Sequence, residues 1–278
     1  MSYKTIGIVI CDEVSDRAAF DAAVAIAERE GCHLDVFCLD PVRYDMAPLG
    51  ATPALAIAGT SEARERAAKL VIWAEERLRN APFPIVVQPL LATTVGLDAA
   101  IARIVRYCDL IVASQPYGPE AIQMQVSVLE AALFGTGAPV LVVPRMERDY
   151  SRAFDRLMIA WDESNESLEA VRKAMPALER ANNAEIVMVD PSSHSPERSD
   201  PGGAMCMMLS RHGVRTEVSI LSKTLPSVSE VINRHAQEQA NDLIIMGAYG
   251  HSRFREALIG GATRDMLETA QVPVMMAH

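Results

Sequence analysis

The chain has 278 residues, of which half are hydrophobic and 22% are charged, a composition typical of a globular protein with two domains. Its formal net charge is −10, and only 5% of its residues are aromatic. Neither half is basic and stacking side chains are scarce, so no nucleic-acid or membrane-surface partner is expected. The five cysteines form no C-x-x-C pair, and neither a leader-like start nor a long apolar run is visible, which favours a cytoplasmic protein.

Apolar runs alternate with helical patterns along the whole chain. In the first half we predict strands at 5–10, 33–39, 85–91, 110–113 and 140–143, separated by helices at 16–30, 62–79, 97–107 and 121–134. In the second half we predict strands at 157–160, 186–189, 216–221, 243–246 and 274–277, with helices at 168–180, 204–212, 228–239 and 262–269. Gly31 is placed to end the first helix, and Pro176 is expected to kink the helix that contains it. Buried strands separated by helices indicate an α/β fold with a parallel sheet covered on both faces.

The two halves repeat one another. IGIVICDE at 6–13 resembles LMIAWDE at 157–163, so that Asp12 and Asp162 correspond, and CDLIVAS at 108–114 resembles NDLIIMG at 241–247. The spacing between corresponding residues shrinks along the chain, which places about 17 extra residues in the first unit, within 41–60. We expect that insertion to be a loop or a short helix over the carboxyl edge of the first sheet.

A glycine-rich stretch follows the fourth strand of the second unit and carries Gly247, Gly250, Gly260 and Gly261. Glycines allow backbone N–H groups to approach an anion closely, and the helix that begins there adds unpaired N–H groups. The pattern therefore indicates a phosphate cradle, although it is neither a Walker A loop nor a dinucleotide fingerprint. The alternatives are that the first two glycines are turn residues and that the last two interrupt the helix start.

The spacing Gly247-x2-Gly250-x9-Gly260, followed by a small residue, resembles the nucleotide-binding motif of the universal stress protein family. The resemblance covers the chain as two family domains in tandem, 1–146 and 153–278. It implies two doubly wound parallel five-stranded sheets of order 3-2-1-4-5, packed as a pseudo-twofold pair through strands 140–143 and 274–277. This intramolecular pseudo-dimer leaves a further homodimer open.

The same resemblance implies that the second unit binds ATP, with Mg²⁺ as a companion ion. The implied nucleotide-binding residues are Asp162, Val189, Met246, Gly247, Gly250, Gly260, Gly261 and Thr263. Asp162 and Val189 would face the adenine, and the glycines and the helix start would hold ribose and phosphates. One departure is Gly261, which stands where family members usually carry Ser or Thr. The alternative for Asp162 is a helix N-cap, although Ser164 and Asn165 are better placed for that role.

The first unit departs further from the motif, because Pro116 and Pro119 remove two amide donors. We therefore expect one nucleotide per chain, loss of binding in Gly250→Val, and unchanged binding in Tyr117→Val. Neither a G-x-S-x-G nor an H-E-x-x-H pattern occurs, and the glycine-rich stretch has no lysine, so at most slow ATP hydrolysis is expected. The predicted function is a nucleotide-responsive stress or regulatory module. The alternatives are an interaction scaffold of the same family that binds no nucleotide and, last, an enzyme of the adenine-nucleotide α-hydrolase type.

Overall fold

The computed structural model describes residues 3–42, 53–118, 121–191, 199–248 and 261–278. The elements of the first half are β1 (Thr5–Ile10), α1 (Arg17–Glu30), β2 (His33–Val42), α2 (Pro53–Leu78), β3 (Ile85–Thr93), α3 (Leu97–Val105), β4 (Leu110–Ser114), α4 (Gln123–Thr136) and β5 (Val140–Val143). The second half continues with β6 (Arg156–Ala160), α5 (Asn165–Lys173), α6 (Met175–Leu178), β7 (Asn183–Val189), α7 (Gly203–Arg211), β8 (Thr216–Leu221), α8 (Val228–Glu238), β9 (Leu243–Gly247), α9 (Gly261–Thr269) and β10 (Val274–Ala277).

The strands form one sheet in the order β3-β2-β1-β4-β5-β10-β9-β6-β7-β8. Pairing is parallel within each half, whereas β5 and β10 pair antiparallel, with Leu141 opposite Met275. The expected contact between the last strands is therefore present, and it joins the two expected five-stranded sheets into one sheet of ten strands. The physical reason is that main-chain pairing between β5 and β10 satisfies the hydrogen-bonding groups of two apolar edge strands.

Helices cover both faces of the sheet. One face is covered by α1, α2, α5 and α7, and its core contains Phe20, Leu141 and Ile159. The other face is covered by α3, α4, α8 and α9, and its core contains Leu129 and Ile244. Each of these two cores includes buried side chains from both halves of the chain, so the halves share their hydrophobic interior.

Two helix-ending signals in the sequence are confirmed. Gly31 follows α1 with φ of 61°, and its N–H donates to the carbonyls of Ala27 and Glu28. Pro176 lies in the short helix α6, which is separated from α5 at Ala174. The helix predicted over 168–180 is therefore two helices, because a proline inside a helix removes one backbone hydrogen bond and crowds the preceding turn.

The insertion of the first unit is distributed differently from our expectation. Pro41 and Val42 are the last residues of β2, residues 43–52 lie outside the described part of the chain, and helix α2 begins at Pro53. The insertion thus contributes an extension of a strand and the first two turns of a 26-residue helix. Proline at a helix start is compatible with this arrangement, since the first N–H groups of a helix have no partner within it.

The antiparallel junction of β5 and β10 fixes where ligand sites can lie. Because strands of the two halves run in opposite directions, their carboxyl ends lie at opposite edges of the sheet. In open α/β sheets ligands bind outside the carboxyl ends, where the strand order reverses. Each half therefore has its own candidate cleft. Among the described residues, every helix is too short or too polar to cross a membrane.

Candidate functional site

A cleft opens at the carboxyl ends of β6, β7 and β9 in the second half. The register places Ala160 of β6 beside Val187 of β7 on one side and Met246 of β9 on the other. These residues, the first turn of α8 and Met266 of α9 enclose a cavity of about 230 Å³. That volume is slightly below the range of roughly 300–1,000 Å³ common for small-molecule sites.

The structure brings together half of the residues that the sequence nominated. The cavity is lined by Asp162, Val189, Met246 and Gly247. Thr263 is buried in the first turn of α9, outside the cavity lining, and Gly261 begins that helix. The remaining two nominated residues, Gly250 and Gly260, lie outside the described residues.

Asp162 is anchored by the helix start that follows it. Its Oδ1 accepts hydrogen bonds from the Ser164 hydroxyl at 2.5 Å and from the Ser164 backbone N–H at 3.1 Å. Ser164 is the N-cap of α5 and accepts from the backbone N–H of Ser167 at 3.1 Å. The helix is therefore capped by Ser164 rather than by Asp162 or Asn165. Within the described part of the chain no donor contacts Oδ2 of Asp162, so this exposed carboxylate keeps an oxygen for a ligand.

The structure gives a reason for glycine at position 247 that the sequence did not reveal. A Cβ atom at this position would lie 2.5 Å from the backbone nitrogen of Ser167 and 2.7 Å from the carbonyl carbon of Glu166. Glycine thus allows the first turn of α5 to pack directly on the end of β9. This contact neither requires nor excludes an anion, and it differs from both sequence interpretations, a turn residue and a phosphate contact.

The rim of the cleft contains residues that the sequence analysis missed. Glu163 and Asp190 both line the cavity with positive φ, 64° and 44°, which is uncommon for residues other than glycine. Trp161 also lines it, and the indole Nε1 is buried without an acceptor among the described residues. The Asp-Pro pair at 190–191, repeated at 40–41, was visible as a sequence repeat, but only the fold shows that Asp190 reaches the cleft.

The chemistry of the cleft differs from one side to the other. Its walls are largely apolar, with Val189, Ile232 and Met266 among them, while the carboxylates that follow β6 and β7 stand at the rim. Ionised carboxylates only accept hydrogen bonds, so this rim suits ligand amino and hydroxyl groups. The start of α9 supplies the opposite character, since the first N–H groups of a helix are unpaired donors.

At the end of β4, in the first half, polar side chains bond to one another. Asp16, which is 2% exposed, accepts through Oδ1 from the Ser114 hydroxyl at 2.6 Å and from Gln125 Nε2 at 2.7 Å. Arg145 donates through Nη2 to Gln125 Oε1 at 3.1 Å. Ser114 corresponds to Gly247 in the repeat, so a hydroxyl bonded to Asp16 replaces the direct helix contact. We call Asp16, Ser114, Gln125 and Arg145 the first-half polar network.

Comparison with known proteins provides an independent line of evidence. Residues 153–278 match the model of the universal stress protein family. Universal stress protein Slr1230 of Synechocystis is 33% identical over 90 residues, which cover 32% of this chain and 30% of that protein. The chain thus matches less than a third of the length of this curated relative. These findings relate the second half of the chain to the universal stress protein family.

Solved structures show the same fold over nearly the whole chain. A universal stress protein from Archaeoglobus fulgidus superposes with a TM-score of 0.72 at 18% identity, covering 98% of this chain and 95% of that one. A functionally unknown protein from Pseudomonas aeruginosa PAO1 has a TM-score of 0.58 at 18% identity, with 99% and 92% coverage. At this identity the likeness shows the α/β fold of both halves together.

Proposed function

We propose that the second half of this protein, 153–278, binds an adenine nucleotide, with ATP as the first candidate. The chain would then be a tandem of two universal stress domains, 1–146 and 153–278, acting as a nucleotide-responsive regulatory module. The observation that carries the proposal is the single cavity that brings Asp162, Val189, Met246 and Gly247 together at the strand ends.

The cavity fits the base and the sugar of such a ligand. A flat ring system can lie between the apolar side chains of Val189, Ile232 and Met266. Oδ2 of Asp162 is available to accept from an exocyclic amine, and Asp190 at the rim can accept from a ribose hydroxyl.

The phosphates belong at the other end of the cleft. Gly261 begins α9, and the first N–H groups of this nine-residue helix have no partner within the helix and lie at its positive end. We assign Gly250, Gly260 and Thr263 to the same end on the sequence motif. The described residues contain no cluster of three or more His, Cys, Asp or Glu side chains suited to a metal ion. Mg²⁺ is therefore proposed to enter bound to the phosphates.

The first half is proposed to bind no nucleotide. Its polar network already saturates Asp16 with donors, and Pro116 supplies no N–H. A ligand entering there would have to break charge-assisted hydrogen bonds at 2.6 and 2.7 Å. This supports a stoichiometry of one nucleotide per chain.

The test is a matched pair of substitutions at repeat-related positions. Asp162→Asn keeps an oxygen for Ser164 but removes the charge, and a lost charge-assisted bond of about 1.5–3 kcal/mol corresponds to binding weaker by roughly 10- to 150-fold. Asp12→Asn makes the same change in the first half and should leave the affinity unaltered. Titration of a fluorescent ATP analogue into both variants measures this, together with release of adenine nucleotide from the denatured purified protein. Two nucleotides per chain, or equal weakening in both variants, would contradict the proposal.

One observation favours the scaffold alternative. The glycine at 247 is explained by its contact with the first turn of α5, so its presence needs no ligand. Together with Gly261 in place of the usual hydroxyl residue, this is compatible with a family member that binds partners but no nucleotide. The same titration distinguishes the two, because the scaffold predicts no saturable binding by the unaltered protein.

A further inference from the structure

Helix α9 of the second half is contacted by the first half at its far end. Gln115, immediately after β4, donates through Nε2 to the carbonyls of Glu268 and Ala270 at 3.3 Å each. These carbonyls belong to the last turn of α9 and the residue after it, where a helix lacks internal partners. Gln115 is 7% exposed, and its own backbone N–H donates to Val143 of β5 at 3.0 Å. The side chain therefore joins a fixed point of the first half to the end of α9.

The same loop makes a second contact with α9, nearer the beginning of the helix. The guanidinium of Arg264 lies over the ring of Tyr117, 5.1 Å from its centroid. A cation over an aromatic face is attracted by the ring quadrupole. Because Arg264 is in the first turn of α9 and Gln115 reaches the last, the loop 114–118 holds the helix at both ends.

The strand side of the cleft is also linked to the first half. His278 Nδ1 lies 3.0 Å from the carbonyl oxygen of Ala248, the residue that follows Gly247. The His278 ring packs edge-on against Phe134 of α4, with centroids 4.9 Å apart. Both described flanks of the glycine-rich stretch, Ala248 and α9, are thus linked to the first half.

We propose that the loop 114–118 of the first half positions α9 for nucleotide binding in the second half, with Gln115 and Tyr117 as positioning residues. This inference rests on the proposed function, since α9 supplies Met266 to the cavity wall and Gly261 to the phosphate end. In the first half, the loop 114–118 stands in place of a glycine-rich motif. By this proposal the loop has a role in the nucleotide site of the second half. The expectation that Tyr117→Val leaves binding unchanged is withdrawn, because that side chain contacts α9.

The experiment measures α9 directly and the site separately, in the full chain. Hydrogen exchange of peptides covering 261–270 is followed without ligand in Gln115→Leu, Tyr117→Leu and Tyr117→Phe. Loss of the cation–π contact in Tyr117→Leu should speed exchange about two- to fivefold, and loss of both Gln115 hydrogen bonds in Gln115→Leu about tenfold. Tyr117→Phe keeps the ring and should behave as the unaltered protein. Tyr107→Leu is the matched control, since Tyr107 lies under Arg106 at 5.9 Å on the exposed surface of the first half.

The affinity for the fluorescent ATP analogue is then measured in the same set. Weaker binding in Gln115→Leu and Tyr117→Leu, with faster α9 exchange and normal behaviour of Tyr117→Phe and Tyr107→Leu, supports the proposal. Unchanged α9 exchange overturns it, and so does faster exchange with unaltered affinity. If the unaltered protein itself binds no nucleotide, the proposed function fails as well. That failure is recognised in the unaltered protein and not in the variants.

Discussion

Gly247→Ala tests whether packing between β9 and α5 is as tight as the structure indicates. The added Cβ would lie 2.5 Å from the Ser167 nitrogen, about 0.9 Å closer than an ordinary contact of 3.4 Å. The obstructing atoms are backbone atoms, so no rotamer change can make room. Helix α5 itself would have to move, and it is held by Ala170 and Val171, both fully buried.

The expected loss of stability follows from this geometry. Overpacking a core by one methyl group typically costs about 1–3 kcal/mol, with larger values where the surroundings cannot yield. We expect the loss of unfolding free energy in Gly247→Ala to be near the upper end of this range, at about 3 kcal/mol. Since about 1 kcal/mol shifts the midpoint of thermal unfolding by roughly 2–4 °C in chains of 150–250 residues, the midpoint should fall by about 6–12 °C.

Gly7→Ala provides a contrasting case in the first half. Its Cβ would lie 2.5 Å from Sγ of Cys108, which is a side-chain atom, and 3.3 Å from Cβ. Adding Cys108→Ala removes the Sγ atom and should restore most of the stability. Adding Glu166→Ala to Gly247→Ala should restore little, because the Ser167 nitrogen and the Glu166 carbonyl carbon remain.

Urea denaturation of the two single and two double variants measures these differences. A loss below about 1 kcal/mol in Gly247→Ala would show that the helix start yields easily, and the explanation of the glycine would then be wrong. If Glu166→Ala restored the stability of Gly247→Ala, the explanation of the glycine would also be wrong, since the clash would then involve side-chain atoms rather than the backbone.

Two further predictions concern the buried polar and thiol groups of the first half. Gln125→Leu removes a donor to Asp16 and an acceptor for Arg145, so urea denaturation should show a loss of about 2–3 kcal/mol; a loss below 1 kcal/mol would contradict the network. Burial raises the pKa of the Cys38 and Cys108 thiols to about 12, from an ordinary value of 9.0. The folded state therefore retains protons that the unfolded thiols lose, so the unfolding free energy should be level below about pH 8 and fall above pH 9, by at most about 1.4 kcal/mol per pH unit for each group. Cys38→Ala should make the fall shallower, and an unaltered slope would contradict it.

The sequence predicted the bounds of the strands better than the start of helix α2 or the pairing between edge strands. Strands β1, β5 and β10 have the predicted bounds, because each is a short apolar run whose burial fixes its limits. Helix α2 begins nine residues earlier than predicted, at Pro53, since its Ala-rich beginning read as part of the insertion. The contact between β5 and β10 was implied by the family resemblance alone, because strand periodicity reports burial of side chains and carries no information on which edge strands pair.

The site was predictable where it depends on strand ends and unpredictable where it depends on neighbours far along the chain. Asp162, Val189 and Met246 come at or just after the ends of three strands, and parallel strands bring such residues to one edge. The contact between Gln115 and Glu268 joins residues 153 positions apart, and that between Gln125 and Asp16 joins residues 109 apart. No local pattern specifies such pairs, so only the fold reveals them.

The residue at the end of the fourth strand distinguishes the two halves. At Gly247 the absence of a side chain lets α5 pack directly on β9, so no side chain from this position can enter the cleft. At Ser114 the side chain is present and its hydroxyl bonds to Asp16, which Gln125 and Arg145 extend into a network filled by protein groups. Because donors and acceptors that are already paired gain little by binding a ligand, the network of the first half offers a ligand less than the cavity of the second half. The first half then retains a structural role in the site, through the contacts that Gln115 and Tyr117 make with α9.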